Sequence, residues 1–342
     1  MSPRQSIVPV FVPHLGCPHM CVFCNQNRIS GAAAPATAET VKNAIETAAA
    51  LTPPESKRQL AFYGGSFTAI PAGEQEALLA AAQPFLTGGV ISSIRLSTRP
   101  DAIDGVVLAR LKKYGVETIE LGAQSMDDGV LIRAGRGHSA KDVEDASALI
   151  KNAGFKLILQ MMTGLPGDTA EKSIETARKI IALSPDGARI YPTVIVRDTE
   201  LYSLWKRGEY AEHTVKEAVS LGAELLPMFE EAGIPIIRFG LNPTEELSGG
   251  DAVGGAYHPA LGELVQSRVF LNRAKALLRE KGHGEYVKIG VNSADISKMT
   301  GQHRGNIEAL MGEFHLKGLK IVPAAVEKGE ISLISLADRD KM

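Results

Sequence analysis

Residues 17–24 read Cys17-Pro18-His19-Met20-Cys21-Val22-Phe23-Cys24, and they follow directly after an apolar segment at Ile7–Val12. The chain has three cysteines, all in this segment, with the spacing C-x3-C-x2-C. An odd, closely spaced set cannot form a disulfide framework, and in a reducing compartment such a set more often binds metal. Soft thiolate sulfur suits iron–sulfur clusters, which are normally held by four cysteines. Three thiolates on a 4Fe–4S cluster would therefore leave one iron open to a chelating small molecule.

Two other interpretations of these cysteines are weaker. A structural zinc site would need a fourth ligand, which His14 or His19 could supply, but such a tight Cys3His arrangement is unusual. The cysteines could also be buried without any ligand, although three within eight residues, beside Pro, His and Asn, make this a poor match for a core segment. For Phe23, packing over the cluster and ordinary core packing are both open.

Short apolar runs alternate with longer amphipathic stretches along most of the chain. The predicted strands are Ile7–Val12, Gln59–Tyr63, Ser93–Thr98, Thr118–Leu121, Lys156–Met162, Ala188–Thr193 and a shorter Ile234–Phe239. The predicted helices are Ala38–Leu51, Gly73–Phe85, Ile103–Tyr114, Ala140–Ala153, Ala170–Leu183 and Ala211–Ala232. This alternation favours βα units and a parallel sheet. We expect an α/β fold, a partial (β/α)6-type barrel over residues 1–240, with its chemistry at the C-terminal ends of the strands.

The pattern changes after residue 240 and predicts a small α+β extension over residues 241–342. A Gly-rich connection, Ser248–Gly255, leads to a helix at Leu261–Glu280. Two short strands and one more helix follow, at Tyr286–Val291, Lys320–Val322 and Ile307–Phe314.

Four loops at the predicted strand ends have the composition of a site. They are Gly64-Gly65, Ser97–Asp101, Gln124-Ser125 and Gly164–Gly167. Gly and Pro often do no more than mark the ends of strands. Because all four loops fall on one edge of one sheet, a binding site at that edge is the better interpretation.

The wider string Pro13–Gln26, Pro-His-Leu-Gly-Cys-Pro-His-Met-Cys-Val-Phe-Cys-Asn-Gln, resembles the radical S-adenosylmethionine (SAM) superfamily. It is similar to the group that includes the catalytic subunit of Elongator and oxygen-independent coproporphyrinogen oxidase, over residues 5–280. The chain lacks the long cysteine spacing of Elongator subunits and any stretch resembling their acetyltransferase domain, so it resembles a short stand-alone relative. The resemblance implies a 4Fe–4S cluster on Cys17, Cys21 and Cys24, with SAM on the open iron.

The resemblance also implies which residues contact SAM. Gly64, Gly65 and Ser66 match a Gly-Gly motif whose carbonyls bind the SAM amino group, because glycine allows close backbone approach. Ser66 stands where an acidic residue is common. The other implied contacts are Ser97 and Thr98 for carboxylate or ribose, Gln124 for ribose or adenine, Arg136 for the methionine carboxylate, and Gln160 where some relatives have an acidic ribose ligand. A guanidinium suits a carboxylate. Turn-capping hydroxyls and a surface arginine are the plainer alternatives.

Substrate contacts are less well indicated. Arg189, Tyr191 and Arg197 belong to or follow the sixth predicted strand and could face the cavity. Tyr257 and His258 follow the Gly-rich connection and could close over the barrel mouth. Single tyrosines and histidines are more often scaffold residues, so a packing role is the stronger expectation for this pair.

The composition, 44% hydrophobic and 22% charged, is that of an ordinary globular protein. The formal net charge of −2 gives no strong field for nucleic acid, and residues 281–330 carry seven Lys and Arg against six Asp and Glu. Nothing approaches the roughly 18 apolar residues of a membrane span, and no secretion signal is present. We therefore expect a cytoplasmic protein with no membrane partner. No Ser–His–Asp, P-loop or HExxH pattern is found, so hydrolase and nucleotide-phosphatase functions have no positive support.

The sequence thus predicts an enzyme in which a reduced cluster cleaves SAM and a 5′-deoxyadenosyl radical takes a hydrogen atom from the substrate. An external one-electron reductant of the flavodoxin or ferredoxin type is implied. The leading substrate is a tRNA base, on the resemblance to Elongator, although the charge gives RNA little support. Two alternatives are open: a porphyrinogen-like small-molecule oxidase or transferase, and a non-catalytic carrier of a cluster or haem.

Overall fold

The computed structural model describes residues 5–12, 17, 21–25, 29, 36–244 and 247–336. Within these ranges the chain forms a parallel sheet with helices and a smaller α+β part, which confirms the predicted α/β class with its C-terminal extension. His14 and His19, the alternative zinc ligands, lie outside the described residues.

The parallel sheet is a partial barrel. The strands of this part are β1 (Gln5–Phe11), β2 (Lys57–Tyr63), β3 (Ser93–Thr98), β4 (Val116–Gln124), β5 (Lys156–Thr163), β6 (Gly187–Pro192), β7 (Val194–Val196), β8 (Ile236–Phe239) and β9 (Ala252–Gly255). Seven of the described strands pair in the order β1-β2-β3-β4-β5-β6-β8, with every neighbouring pair parallel. Strands β1 and β8 are the first and last strands of the sheet. Because every neighbouring pair is parallel, the carboxyl ends of all seven strands lie along the same edge of the sheet.

Helices follow the strands, and six of them lie where the hydrophobic periodicity predicts. The short helices Asp128–Arg133 and Glu200–Lys206 were not predicted. The helices of this part are α1 (Ala38–Leu51), α2 (Ala72–Thr87), α3 (Gly105–Lys113), α4 (Asp128–Arg133), α5 (Ala140–Asn152), α6 (Ala170–Ala182), α7 (Glu200–Lys206) and α8 (Val215–Glu231). Six begin at a capping side chain that accepts a backbone N–H of the first turn: Thr37, Asp104, Asp127, Ser139, Thr169 and Thr199. Such caps satisfy N–H groups that have no partner inside the helix.

One face of the sheet is polar, and we call it the polar face. It carries Gln59, Arg95, Glu120, Gln160 and Arg189. The strand register and the two-residue alternation of strands place these side chains on the same side. In a barrel with helices outside, this is the interior side.

Part of the predicted Gly-rich connection is a strand. Residues 252–255 form β9, which pairs antiparallel with β7. Gly255 has φ +80°, and a Cβ there would lie 2.6 Å from the Thr193 carbonyl oxygen. Glycine is therefore required at this end of β9, because any side chain there would collide with the backbone of Thr193.

The chain divides into two compact units, residues 1–214 with 229–257 and residues 215–228 with 258–342. The second unit contains α9 (Leu261–Lys281), β10 (Tyr286–Val291), α10 (Ile296–Thr300), α11 (Gly305–Glu313), β11 (Gly318–Pro323) and β12 (Ile331–Leu336). Strand β10 lies between β11, to which it is parallel, and β12, to which it is antiparallel. The predicted domain boundary at residue 240 stays a prediction. In the described ranges, no helix has the length and apolar character of a membrane span.

Candidate functional site

Backbone hydrogen bonds hold the cysteine segment against two neighbouring elements. Val22 donates its N–H to the Ala134 carbonyl over 3.1 Å, and its own carbonyl accepts the Leu201 N–H over 2.7 Å. The Cys24 N–H closes a turn onto the Cys21 carbonyl at 3.0 Å. Val22 is thus bonded both to the end of α4 and to the start of α7.

Phe23 anchors the same segment by apolar packing. It contacts a cluster formed by Val130, Ala134 and Leu165 and another formed by Ile195, Leu201 and Tyr210. Of the two interpretations of Phe23, these contacts support the core one. Phe23 is therefore packed from both sides.

Two of the predicted cluster thiols touch other predicted site residues. Cys17 accepts a hydrogen bond from the Ser66 backbone, and Cys21 Sγ accepts one from Arg136 Nη1 at 3.3 Å. Among the described residues, no three Cys, His, Asp or Glu side chains form a group that could hold a metal ion. The role of Cys17, Cys21 and Cys24 as ligands therefore stays a prediction, made on their spacing and sulfur chemistry.

The loop after β2 is joined to the end of β3 by hydroxyl groups. Gly64 has φ +93°, which favours glycine. Ser66 Oγ lies 2.9 Å from Thr98 Oγ1, and Thr68 Oγ1 lies 2.5 Å from the same atom. The Arg99 N–H donates to Ser66 Oγ at 3.3 Å. Ser66 and Thr98 are buried. The contact between their hydroxyls joins the Gly-Gly loop to the end of β3.

A bulge at the end of β4 brings three polar groups together. The register between β4 and β5 shifts between Gly122 and Gln124, and Gln124 has φ +65°. Its Oε1 accepts a hydrogen bond from Gln160 Nε2 at 3.1 Å. A Cβ on Gly122 would lie 2.8 Å from the side-chain nitrogen Nε2 of Gln124 and 3.4 Å from Arg136 Nη2. Gly122 was not among the residues predicted from the sequence, although a glycine inside a strand often marks a bulge or a close approach.

Arg136 connects this bulge to the cysteine segment. Its Nη2 donates to the Gly122 carbonyl at 2.8 Å, while Nη1 reaches Cys21 Sγ. Its own carbonyl accepts a hydrogen bond from Arg99 Nη2 at 2.6 Å. Arg136 is only 8% exposed, and its Nε is buried without a hydrogen-bond partner among the described residues. A buried guanidinium with an unused donor suits an anionic group that arrives with a ligand.

His138 lies beside Arg136 and was not singled out from the sequence. Its Nε2 is 3.2 Å from the Ala123 carbonyl oxygen, and its Nδ1 is buried without a partner in the described part of the chain. Burial, followed by the Arg136 charge, lowers the pKa of His138 to about 4. The ring is therefore neutral at neutral pH, and it supports the strand end behind the arginine.

Glu120 is the centre of an ionic network on the polar face. It is 4% exposed, and its carboxylate lies 2.7 Å from Arg95 Nη1 and 2.9 Å from Arg189 Nε. Tyr63 donates its hydroxyl to Glu120 at 3.0 Å, and Arg189 Nη1 donates to the Tyr191 hydroxyl at 3.1 Å. Burial, with the Glu120 charge, raises the pKa of Tyr63 to about 12. The network thus joins Arg189 and Tyr191 to Arg95 and Glu120. A charged residue inside an otherwise apolar strand was the sequence signal that could have indicated it.

Other suggested substrate contacts make local bonds. Arg197 is exposed and donates from Nε to the Gly250 carbonyl at 3.0 Å. The Tyr257 hydroxyl lies 2.8 Å from Ser248 Oγ. His258 Nδ1 accepts the Ala260 N–H at 3.1 Å. These contacts agree with the packing role expected for Tyr257 and His258.

The predicted SAM contacts lie on strands β2 to β5 or in the segments that follow them. They are Gly64, Gly65, Ser66, Ser97, Thr98, Gln124, Arg136 and Gln160. Ligands bind at this edge in parallel α/β sheets. The structure places these residues where such a site is expected, and their contacts with SAM stay predictions.

Comparison with known families matches most of the chain. Residues 11–180 match the radical SAM superfamily, and residues 185–270 match the radical SAM C-terminal domain. The two matched regions contain every predicted ligand of the cluster and of SAM.

Curated relatives match a shorter part. The chain is 36% identical over 138 residues to Elongator complex protein 3 of Homo sapiens, covering 40% of this chain and 25% of that protein. It is 34% identical over 129 residues to the tRNA uridine(34) acetyltransferase of Methanocaldococcus infernus, covering 37% of this chain and 24% of that protein. The matches therefore span a quarter or less of these two relatives.

A solved structure shares the fold over a longer range. Elp3 of Methanocaldococcus infernus, with an N-terminal deletion, superposes with a TM-score of 0.61 and 22% identity, covering 82% of this chain and 64% of that chain. The likeness supports the partial barrel that the strand pairing shows.

Proposed function

Because the chain belongs to the radical SAM superfamily of enzymes, we propose that it cleaves SAM reductively and takes a hydrogen atom from a tRNA base. One observation carries the proposal. The Arg136 guanidinium lies between the Cys21 thiol and the bulge at the carboxyl end of β4. It therefore connects the predicted cluster ligands to the edge of the sheet where SAM would bind.

The residues present fit a 4Fe–4S cluster. Cys17, Cys21 and Cys24 supply soft sulfur donors, and Arg136 Nη1 donates to Cys21 Sγ at 3.3 Å. When bound, such a cluster supplies the electron that splits SAM into methionine and a 5′-deoxyadenosyl radical. An external reductant of the flavodoxin or ferredoxin type would provide that electron.

The remaining site residues would bind and orient SAM. The Gly64-Gly65 carbonyls accept its amino group, and the buried Nε of Arg136 is a donor for its carboxylate. The linked amides of Gln124 and Gln160 offer donors and acceptors to the ribose. Ser97 is half-buried and lies on the same face as Glu120, so it is another candidate for the ribose.

The tRNA substrate is supported by the relatives. One of them is named for its action on a tRNA uridine. The polar face is compatible with a nucleobase, because Tyr191 and Arg189 offer hydrogen-bonding groups inside the barrel. Substrate positioning is therefore assigned to the polar face, and radical generation to the edge of the sheet formed by the carboxyl ends of its strands.

The proposal is tested by anaerobic reconstitution with iron and sulfide, reduction with dithionite and addition of SAM. We expect 5′-deoxyadenosine to form. When tRNA transcribed with deuterated uridine is added, deuterium should appear in the 5′-deoxyadenosine. A protein with a full complement of cluster that releases none would contradict SAM cleavage and favour the carrier alternative.

A pair of glycine variants tests the site geometry. Gly122→Ala should lower 5′-deoxyadenosine formation at least about tenfold, because the new Cβ would lie 2.8 Å from Gln124 Nε2 and displaces that side-chain amide from the bulge. Gly73→Ala is the matched control, because nothing lies within 4 Å of its Cβ position. Equal rates in the two variants would contradict the site assignment.

A further inference from the structure

The second compact unit contains a β-α-α-β segment with no part in the proposed radical site. It runs through β10, α10, residues 301–304, α11 and β11, and β10 and β11 are adjacent and parallel. Its own core includes Val287, Met299, Leu310 and Leu319. We propose that this unit binds single-stranded RNA, with the loop Gly301-Gln302-His303-Arg304 against the sugar–phosphate backbone.

The element order is that of a KH module. In such modules two helices are joined by a Gly-x-x-Gly loop that clamps the backbone of four nucleotides. Here the loop joins α10 to α11, and both helices pack on the sheet through Met299 and Leu310. Ile307, in the first turn of α11, belongs to the same core. The loop is thus presented by a packed β-α-α-β unit.

The loop departs from the glycine pattern at its last position. Arg304 stands there with φ +64°, preceded by His303 with φ +49°. Both side chains are exposed. A left-handed backbone is uncommon for residues other than glycine, so Arg304 keeps the conformation that glycine would supply and adds a cation.

The base of the loop is held by Asn306. This residue is buried, and its Nδ2 lies within hydrogen-bond distance of the carbonyl oxygens of Ser267, Lys298 and Met299, at 2.9, 3.1 and 3.2 Å. A Cβ on Gly301 would lie 3.0 Å from Asn306. The loop is therefore pre-organised, which lowers the entropy cost of clamping a flexible strand.

The charge of the loop is available to a phosphate. Lys298, on α10, is paired with Asp295 at 2.9 Å. Arg304 forms no ion pair with any residue that the structure describes. An exposed guanidinium without an anionic partner suits a phosphate oxygen.

A local clamp is compatible with the overall charge of −2. It needs few phosphate contacts rather than a large positive field. For about two neutralised phosphates, the logarithm of the RNA association constant should fall with the logarithm of salt concentration with a slope of about −1.4. A broad basic surface would give a steeper slope.

The inference deepens the proposed function by assigning RNA a binding unit, and its test is independent of radical chemistry. The reconstituted full chain, without SAM or reductant, is titrated into a fluorescent single-stranded RNA of about 12 nucleotides, enough for a four-nucleotide site. A duplex of the same sequence is titrated in parallel. We expect the single strand to bind more tightly.

Two double variants with the same charge change decide the role of the loop. His303→Asp with Arg304→Asn should weaken binding at least about tenfold, because a cation is lost and an anion faces the phosphates. Asp and Asn tolerate the left-handed backbone. His315→Asp with Lys317→Asn is the control at the other end of α11, where His315 is also exposed with φ +50°.

At about 0.15 M salt the control should bind within about twofold of the wild type, because α11, of 9 residues, separates its positions from the loop by about 13 Å, more than the Debye length of about 8 Å. Equal weakening in both variants, no weakening in either, or preference for the duplex would overturn the proposal. Circular dichroism verifies that both variants are folded. If SAM cleavage fails in the wild type while the loop variant loses RNA, the proposed chemistry fails and the RNA module stands.

Discussion

At the scale of single residues, the site depends on where side chains are missing as much as on where they are present. Gly122 leaves the space that the Gln124 amide and the Arg136 guanidinium occupy. His138 packs behind them with one ring nitrogen unpaired in the described structure. Each of these residues acts through a neighbour, so its importance cannot be read from its own chemistry.

His138 makes stability depend on pH. Its pKa is lowered from 6.5 to about 4 by burial, so between these values the unfolded chain binds the proton and the native ring does not. The contribution of His138 to the unfolding free energy is fully present above pH 6.5 and is lost as the pH falls towards 4. From about pH 7 to about pH 5, this group should cost about 2 kcal/mol of unfolding free energy.

Urea unfolding followed by Trp205 fluorescence measures this loss. Trp205 is the single tryptophan of the chain and lies in the same unit as His138. His138→Gln should show a smaller loss over this pH interval, because glutamine does not titrate. His315→Gln, at an exposed position, should follow the wild type. Identical pH profiles for wild type and His138→Gln would contradict the assignment.

At the scale of elements, the polar network joins strands that are distant in sequence. Glu120 on β4 binds Arg95 on β3 and Arg189 on β6. Tyr63 on β2 completes the set. The network therefore fixes the relative positions of four strands around the barrel interior.

Removing the central charge should destabilise the barrel strongly. Glu120→Gln leaves the guanidinium groups of Arg95 and Arg189, whose side chains are 10% and 11% exposed, without their anion, and we expect a loss of about 3–5 kcal/mol in unfolding free energy. Glu117→Gln is the control on the same strand, because its pair with Lys156 is 42% and 58% exposed. Exposed pairs contribute up to about 1 kcal/mol.

Urea unfolding of the two variants provides the comparison. A loss in Glu120→Gln no greater than that in Glu117→Gln would show that the network does not hold the strands. In that case the two arginines would find other partners or water. The Tyr63→Phe variant removes two hydrogen bonds, the one that Tyr63 donates to Glu120 and the one that it accepts from Arg189, and should lose about 1–3 kcal/mol.

At the scale of the whole molecule, the chain contains two compact units, and the second has its own apolar core. Leu310 is 0% exposed in that core. Leu310→Ala should cost the second unit about 2–5 kcal/mol. Because Trp205 lies in the first unit, its fluorescence transition should shift less than the transition seen by far-ultraviolet circular dichroism.

Coincident shifts of both transitions would show that the two units unfold together. A matched variant in the first unit, Leu159→Ala, also removes a leucine that is 0% exposed. It should move the Trp205 transition by the larger amount. The pair of variants therefore measures the independence of the two cores.

Local patterns in the sequence were enough for the architecture of the first unit. The helix at Ala38–Leu51 and the strand at Ser93–Thr98 have the predicted bounds. Capping residues and hydrophobic periodicity act over a few residues, so they can be recognised without the fold. The short strands β7 and β9 were missed, since each has few residues and is stabilised by its distant partner.

By itself, the sequence determined the α/β class, the family resemblance of the cysteine segment and the edge of the sheet where the predicted SAM contacts lie. Only the tertiary structure decided which side chains meet: Glu120 with Arg189, 69 residues apart, and Arg136 with Cys21, 115 apart. Such contacts depend on strand register and on how loops return to the sheet. They follow from packing of the whole chain, which no local pattern encodes.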